Sequence, residues 1–207
     1  LDLQPGLAMM YPFYTFSCLL PRLEFDAACA VMEKSLTFDP FNPVCHAITM
    51  FAYNMAGRFE DTVRQYQLAK SISPEFAPFE ALIGSAYELT GRLDEALGHH
   101  RHACQLSGRA PSTTGYLGHL LARRNEATEA RQILQELLAF QPPPHVEIAR
   151  LYYALSDEEQ ALQWLEAAAS MKNIHLLSLP SDPRFARLRP HPRVQKILVR
   201  MGLGAFA

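Results

Sequence analysis

The sequence predicts an all-α protein, an α-solenoid in which antiparallel helix pairs stack side by side in chain order. Three observations predict it. Several positions recur every 34 residues, small residues recur in the same register, and apolar residues fall at three- and four-residue spacing between them. A pair of helices leaves an apolar flank that only a neighbouring pair can cover, so repeated pairs stack into a curved rod.

Independent positions carry the 34-residue register. A proline or a glycine recurs after the second helix of the repeat, at Pro40, Pro74, Gly108 and Pro142. Small residues recur within the repeats, at Ala28, Thr62, Ala96 and Ala130, and again at Ser35, Ala69 and Ala103. Gly57 and Gly91 mark a tight turn inside their pairs, because the positive φ of such a turn suits glycine. The prolines stop each second helix.

The register divides the chain into a leading segment, five units and a tail. Residues 1–8 are predicted to be the end of a preceding repeat or a linker. The units are predicted at 9–42, 43–76, 77–110, 111–141 and 142–175. The first is irregular, since Leu23 holds the position of Gly57. The last begins early, since Ala161 follows Ala130 by only 31 residues.

Residues 176–207 are predicted to form a C-terminal helical cap, because a solenoid must cover the apolar face of its last unit. A short pattern recurs there nine residues apart, Asp182-Pro183-Arg184-Phe185 and His191-Pro192-Arg193-Val194. Proline directly after a capping residue starts a helix well, and Asp182 suits the capping position.

The third unit, APFEALIGSAYELTGRLDEALGHHRHACQLS, resembles a tetratricopeptide repeat (TPR), with Ile83, Gly84, Tyr87, Gly91, Ala96 and Ala103 at the signature positions. The tail resembles one that closes TPR arrays in bacterial signalling and regulatory proteins. The resemblance implies a superhelix whose concave groove is lined by the first helix of each unit. It implies a protein or peptide as the partner.

By that resemblance, the groove contacts fall at set positions of the first helices. They are Phe13, Tyr14, Ser17, Ile48, Phe51, Asn54, Ser85, Glu88, Tyr116, His119, Arg123, Glu147, Arg150 and Tyr153. The first half is apolar and the second carries cationic groups, so a peptide with an apolar anchor and an acidic end would suit it. TPR domains that bind the C-terminal carboxylate of chaperones use lysine, asparagine and arginine at set positions. Binding of such a chaperone tail is not expected here, because the matching residues are Phe13, Ser17, Ile48, Pro78 and Leu82.

Composition and the absence of known motifs argue against several classes of function. The net charge of −2 gives no general reason to expect nucleic acid or an acidic membrane surface as a partner, and no apolar run is long enough to span a bilayer. Four cysteines without a CxxC pair suggest a cytoplasmic protein. The sequence has no phosphate-binding loop, metalloprotease motif or nucleophile elbow. An enzyme and a cofactor are therefore not expected.

Two clusters invite a chemical interpretation. His99, His100, His102 and Cys104 share one helix, but the two pairs that share a face point about 100° apart. Packing and solvated surface are favoured over a metal site there. Basic residues cluster in the tail at Arg184, Arg187, Arg189, Arg193, Lys196 and Arg200. A solvated face of the cap is favoured over nucleic-acid binding, because no aromatic residues interleave for base stacking.

The sequence thus predicts a non-catalytic protein-protein interaction scaffold that binds a peptide or protein in the concave groove. The alternative is a regulatory or sensor module of a larger bacterial signalling enzyme or transcription regulator. A homo-oligomer through an exposed array end near residues 1–20 is a further hypothesis. The sequence leaves the identity of the partner open.

Overall fold

The computed structural model describes residues 9–204, and every regular element within them is helical, as predicted. The leading segment 1–8 lies outside the described residues. The described α-helices are α1 (Met10–Tyr14), α2 (Phe25–Phe38), α3 (Pro43–Met55), α4 (Phe59–Ile72), α5 (Ala77–Leu89), α6 (Leu93–Leu106), α7 (Pro111–Arg123), α8 (Ala127–Leu138), α9 (His145–Ala154), α10 (Glu158–Ser170) and α11 (Pro192–Arg200).

The helices pack in the order in which they occur along the chain. The pairs α3–α4, α5–α6, α7–α8 and α9–α10 pack against each other, and each pair contacts the next. The first helices α3, α5, α7 and α9 also contact one another in sequence. They therefore line one continuous face, which we call the first-helix face. The predicted α-solenoid of stacked helix pairs is confirmed.

The turn inside each pair uses a left-handed residue. Gly57 and Gly91 have φ of 73° and 82°, which confirms the prediction for these two glycines. Leu23 and Asn125 hold the equivalent positions with φ of 60° and 63°. The backbone N–H that follows each glycine bonds back into the preceding helix, as Arg92 N–H does to the carbonyl of Tyr87 at 2.8 Å.

The small residues of the register lie where the two helices of a pair meet. Ala28, Ala96 and Ala130 are fully buried, so a larger side chain would separate the helices. Thr62, at the same position of its pair, is also fully buried, and its hydroxyl donates a 2.8 Å hydrogen bond to Asn54 Oδ1. This bond satisfies both polar groups inside the interface.

The first pair is irregular, in agreement with the departure at Leu23. After α1 the chain makes a π-helical turn at Thr15–Leu19 and a 3₁₀ turn at Leu20–Arg22. Pro21 has no backbone N–H to give to the regular i−4 bond, so the α-helical ladder does not continue through it. The Tyr11 side chain still packs fully and stacks on Phe38, with ring centroids 5.8 Å apart.

The C-terminal segment covers the last pair, as predicted. It makes 3₁₀ turns at Ile174–Ser178 and Pro183–Phe185 before α11. Asp182 Oδ1 accepts from Arg184 N–H at 3.0 Å, which confirms the predicted capping residue. Buried side chains of the segment pack against α9 and α10, among them Leu179, Phe185, Leu188, Val194 and Leu198. None of the helices within residues 9–204 is long and apolar enough to cross a bilayer.

Candidate functional site

An apolar groove opens on the first-helix face across α3, α5 and α7. Its volume is about 280 Å³, and its walls include Phe16, Val44, Ile48, Phe51, Phe76, Pro78, Leu82, Ser112, Thr113 and Tyr116. The rings of Phe16 and Phe51 lie 6.0 Å apart, so they form one aromatic wall. We call this feature the apolar groove. Three of the predicted contacts, Ile48, Phe51 and Tyr116, lie in it.

A buried ion cluster fills the same face farther along the array. Glu88 of α5 is fully buried, and its Oε2 accepts from Arg184 Nη2 at 2.7 Å and from Arg184 Nε at 3.3 Å. His119 Nδ1 lies 2.6 Å from Glu88 Oε1. Arg123 Nη1 donates to the backbone carbonyl of Glu88 at 3.1 Å. The C-terminal segment thus reaches back across α9 and α7 to α5.

A second ion pair extends this cluster towards α9. Arg150 Nη2 lies 3.3 Å from Asp182 Oδ2, and both side chains are almost completely buried. The Arg150 guanidinium also stands 5.1 Å from the centre of the Tyr116 ring, and that of Arg184 stands 4.9 Å from it. Tyr116 therefore has two cations over its ring, which favours both electrostatically. We call Glu88, His119, Arg150, Asp182 and Arg184 the buried ion cluster.

The charges of the cluster set its titration. Burial alone would raise the pKa of Glu88, but Arg184 and His119 outweigh it and hold that pKa well below its usual value. Burial likewise opposes the ionised form of Asp182, and Arg184 and Arg150 overcome it, so its pKa is lowered. The pKa of His119 is lowered, because burial disfavours the imidazolium more than Glu88 favours it. The arginines therefore favour the ionised form of both carboxyl groups, and burial favours the neutral form of His119.

His100 of α6 lies behind the cluster. Its ring is fully buried, stacks on Tyr116 with centroids 5.8 Å apart, and leaves Nε2 3.8 Å from Glu88 Oε2. A Cβ on Gly84 would lie 2.8 Å from His100 Nδ1, so glycine there makes room for the ring. His99 and His102 instead face Glu80, at 2.7 and 3.4 Å. The histidines of α6 therefore point to two separate carboxylates.

Glu80 and its histidines do not form a metal centre in the part of the chain that the structure describes. Within residues 9–204, no group of three or more histidine, cysteine or carboxylate side chains has a geometry that could hold a metal ion. Glu80 is also engaged by the Tyr66 hydroxyl at 2.7 Å and by Lys70 Nζ at 3.2 Å. Burial opposes the charge of Glu80, yet its hydrogen bonds with His99, Tyr66 and Lys70 lower its pKa to about 2.

The remaining predicted groove contacts lie in different surroundings in the structure. Phe13 is 57% exposed near the end of the array, and Tyr14 packs in the core of the first pair. Ser17 Oγ is buried and makes no hydrogen bond within the described residues. Tyr153 and Arg123 border a second opening beside the buried ion cluster. His119 borders it too, although its ring is buried.

Five of the predicted contacts are buried and make their contacts inside the fold. Asn54 is buried and its Nδ2 donates to the Leu82 carbonyl at 2.8 Å, tying α3 to α5. Ser85 is buried and its hydroxyl donates to the Ala81 carbonyl at 2.9 Å. Glu88 and Arg150 are neutralised by the C-terminal segment. Glu147 is buried beside His175, at 3.6 Å. These side chains shape the face and do not reach solvent.

The prediction for the basic cluster of the tail is corrected. Arg184 is buried against Glu88, so it is not part of a solvated face. Arg193 pairs with Glu166 at 2.6 Å and with Glu159 at 2.8 Å, which fastens α11 to α10. The sequence analysis did not predict that Arg184 is a buried counter-ion, although one feature of the sequence indicates the need for it. Glu88 sits among apolar positions of α5, and a carboxylate buried there needs a counter-ion.

Solved structures share this arrangement of helices, whereas no protein-family model and no curated protein matches the chain. A thermophilic TPR protein of Thermus thermophilus is 19% identical with a TM-score of 0.59, over 84% of this chain and 91% of that one. A chain of the APC/C hetero-tetramer Cut9–Hcn1 is 15% identical with a TM-score of 0.64, over 94% of this chain and 38% of that one. The pilF protein of Pseudomonas aeruginosa is 17% identical with a TM-score of 0.55, over 93% and 96%.

Proposed function

From the TPR fold of this chain, we propose that it is a non-catalytic protein-interaction scaffold that binds a segment of a partner protein in the apolar groove. The apolar groove carries the proposal. It is an open cleft on the first-helix face whose accessible lining is almost entirely apolar. Apolar surface left uncovered on a folded protein favours association with a partner that buries it.

The walls of the apolar groove suit side chains of particular chemistry. Phe16, Phe51 and Phe76 supply aromatic surface, and Ile48 and Leu82 supply aliphatic surface between them. Because little polar lining is present, the groove selects for bulk and apolarity instead of hydrogen-bonding pattern. We therefore propose a partner segment that inserts aromatic or branched aliphatic side chains, with its backbone along the first-helix face.

The test is a selection from a phage-displayed library of random dodecapeptides on the full chain, followed by fluorescence anisotropy on the enriched peptides. Enriched peptides are expected to carry paired aromatic or leucine residues. Ile48→Glu places a charge in the apolar groove and should weaken their binding about tenfold or more. Enrichment of peptides without apolar anchors would contradict the proposal.

Leu68→Glu is the matched control. Leu68 lies on the outer helix α4, is 61% exposed, and is outside the groove. The same change of charge there should leave the affinity within about twofold of the wild type, because solvent screens a distant surface charge. Equal losses in the two variants would assign the effect to net charge. That result would contradict the proposal that the apolar groove is the binding site.

The finer predictions about context stay predictions. A regulatory or sensor role in a larger bacterial protein, and a cytoplasmic location, are proposals that rest on the resemblance of the tail and on the cysteine pattern. Self-association through the array end is also a proposal. Met9, Met10 and Phe13 are exposed at that end, which supports it, and light scattering over a concentration series would test it.

A further inference from the structure

A second opening lies on the first-helix face, beside the buried ion cluster. It has a volume of about 430 Å³ and is lined by Leu89, His119, Arg123, Tyr153, Pro183, Arg184, Ala186 and Arg187. Residues from α5, α7 and α9 form one side, and the C-terminal segment forms the other. We call it the basic pocket. It takes part of its wall from residues that lie outside every repeat.

The basic pocket carries positive charge that the fold does not neutralise. Arg184 is matched by Glu88 at 2.7 Å, and Arg150 behind it is matched by Asp182 at 3.3 Å. Arg123 is 41% exposed and lies at a longer 3.5 Å from the same Glu88 carboxylate. Arg187 is exposed and makes no ion pair or hydrogen bond within residues 9–204. Two cations, Arg123 and Arg187, thus remain available at the pocket.

The polar groups that line the basic pocket suit an anion. Tyr153 lines the opening, and its hydroxyl makes no hydrogen bond within the described residues, so its O–H is free to donate. The buried ion pairs behind the pocket hold Arg123 in place through the Glu88 carbonyl at 3.1 Å. Two guanidinium groups and a phenol around one opening match a carboxylate, which accepts several such bonds at once.

The basic pocket follows the apolar groove along α7. Tyr116 lines the apolar groove, and Arg123, seven residues later on the same helix, lines the basic pocket. At about 1.5 Å per residue the two positions lie about 10 Å apart along the helix, which about three extended residues of a ligand would span. One partner segment can therefore occupy both openings.

We propose that the basic pocket binds the side-chain carboxylates of an acidic stretch in the partner, about three residues from the apolar anchor. This proposal rests on the proposed function of the apolar groove and adds to it the charge of the partner. It also gives the C-terminal segment a recognition role, because Arg187 belongs to that segment. Arg187 is thereby a specificity-determining residue.

The probes are two capped, fluorescein-labelled peptides, Trp-Leu-Gly-Ser-Asp-Glu-Asp and its uncharged counterpart Trp-Leu-Gly-Ser-Asn-Gln-Asn, measured by anisotropy. C-terminal amidation removes the terminal carboxylate, so only side chains contribute. On the wild type the acidic peptide should bind about fivefold or more tightly than its counterpart, and the preference should shrink as salt is added. Arg187→Gln should remove most of the preference for the acidic peptide.

Arg131→Gln is the matched control, since Arg131 is an exposed residue on α8 away from the basic pocket. It should keep the preference for the acidic peptide. Equal binding of the two peptides to the wild type would contradict the proposal for the basic pocket and leave the proposal for the apolar groove intact. A preference that survives Arg187→Gln, or that Arg131→Gln abolishes equally, would overturn it as well. Failure of both peptides to bind would overturn the basic pocket and the apolar groove together.

Discussion

Glu88 and Arg184 form a buried ion pair although 96 residues separate them in the chain, with Nη2 and Oε2 2.7 Å apart. Repeats of a solenoid ordinarily contact only their neighbours. Here the C-terminal segment passes two first helices and reaches a third. The pair therefore couples the third predicted unit to the cap. The C-terminal segment covers the first-helix face at this end, and the apolar groove stays open at the other.

Stability is predicted to fall as the pH is lowered below about 5, because of three buried carboxyl groups. Glu80, Glu88 and Asp182 have lowered pKa values in the folded state, about 2 for Glu80. The unfolded chain then takes up protons first, so the stability they provide is complete above their ordinary pKa values and is lost as the pH falls through the folded ones. Urea midpoints should decrease steadily from pH 5 to pH 3. A midpoint that stays level or rises would contradict this.

An earlier loss is predicted to come from the buried imidazoles. Burial lowers the pKa of His100 from 6.5, so the unfolded chain binds a proton there that the folded chain rejects. The free energy of unfolding should therefore already drop between pH 7 and pH 5. His100→Asn removes this group, and its drop over the same interval should be smaller than that of the wild type. An unchanged drop would show that His100 does not contribute.

Gly84→Ala is predicted to destabilise the protein by about 1–3 kcal/mol in urea unfolding. The added Cβ would lie 2.8 Å from His100 Nδ1, and the buried ring has no room to retreat. Gly98→Ala is the control, because Gly98 lies in α6 and its added Cβ meets no atom within 4 Å. It should stabilise the protein by up to about 1 kcal/mol through helix propensity. Equal effects of the two changes on stability would contradict the close approach of α5 and α6 at His100.

Gly91→Ala is predicted to destabilise by about 1 kcal/mol, because Gly91 has φ of 82° and an L side chain is strained there. Gly91→Asn should cost less, since asparagine tolerates this conformation and Asn125 already adopts it at φ of 63°. Thermal or urea unfolding of the two variants measures the difference. An alanine variant as stable as the asparagine variant would contradict the left-handed turn.

The repeat was predictable from sequence because its constraints are local and recur. A turn that needs positive φ shows glycine at positions 57 and 91, and a close helix contact shows alanine at 28, 96 and 130. The same constraint at Leu23 and Asn125 is met by other residues, so the pattern was incomplete there. The stacking order then follows, because each pair has one apolar flank to cover.

The fate of individual polar side chains was not predictable in this way. Asn54 and Glu88 hold positions that point to the first-helix face, and the sequence placed both in contact with a partner. Whether such a side chain meets solvent depends on the curvature of the array and on what folds against it. Asn54 finds the carbonyl of Leu82, and Glu88 finds Arg184. Neither contact has a sequence spacing that recurs.

The most direct test is a double-mutant cycle on Glu88→Gln and Arg184→Met, with free energies of unfolding from urea titrations of the full chain. Each single change removes the nearest counter-ion of a buried charge and should cost about 3 kcal/mol or more. The double variant should lose clearly less than the sum, with a coupling energy above about 1.5 kcal/mol. Additive losses, within about 0.5 kcal/mol, would show that the C-terminal segment does not dock on α5.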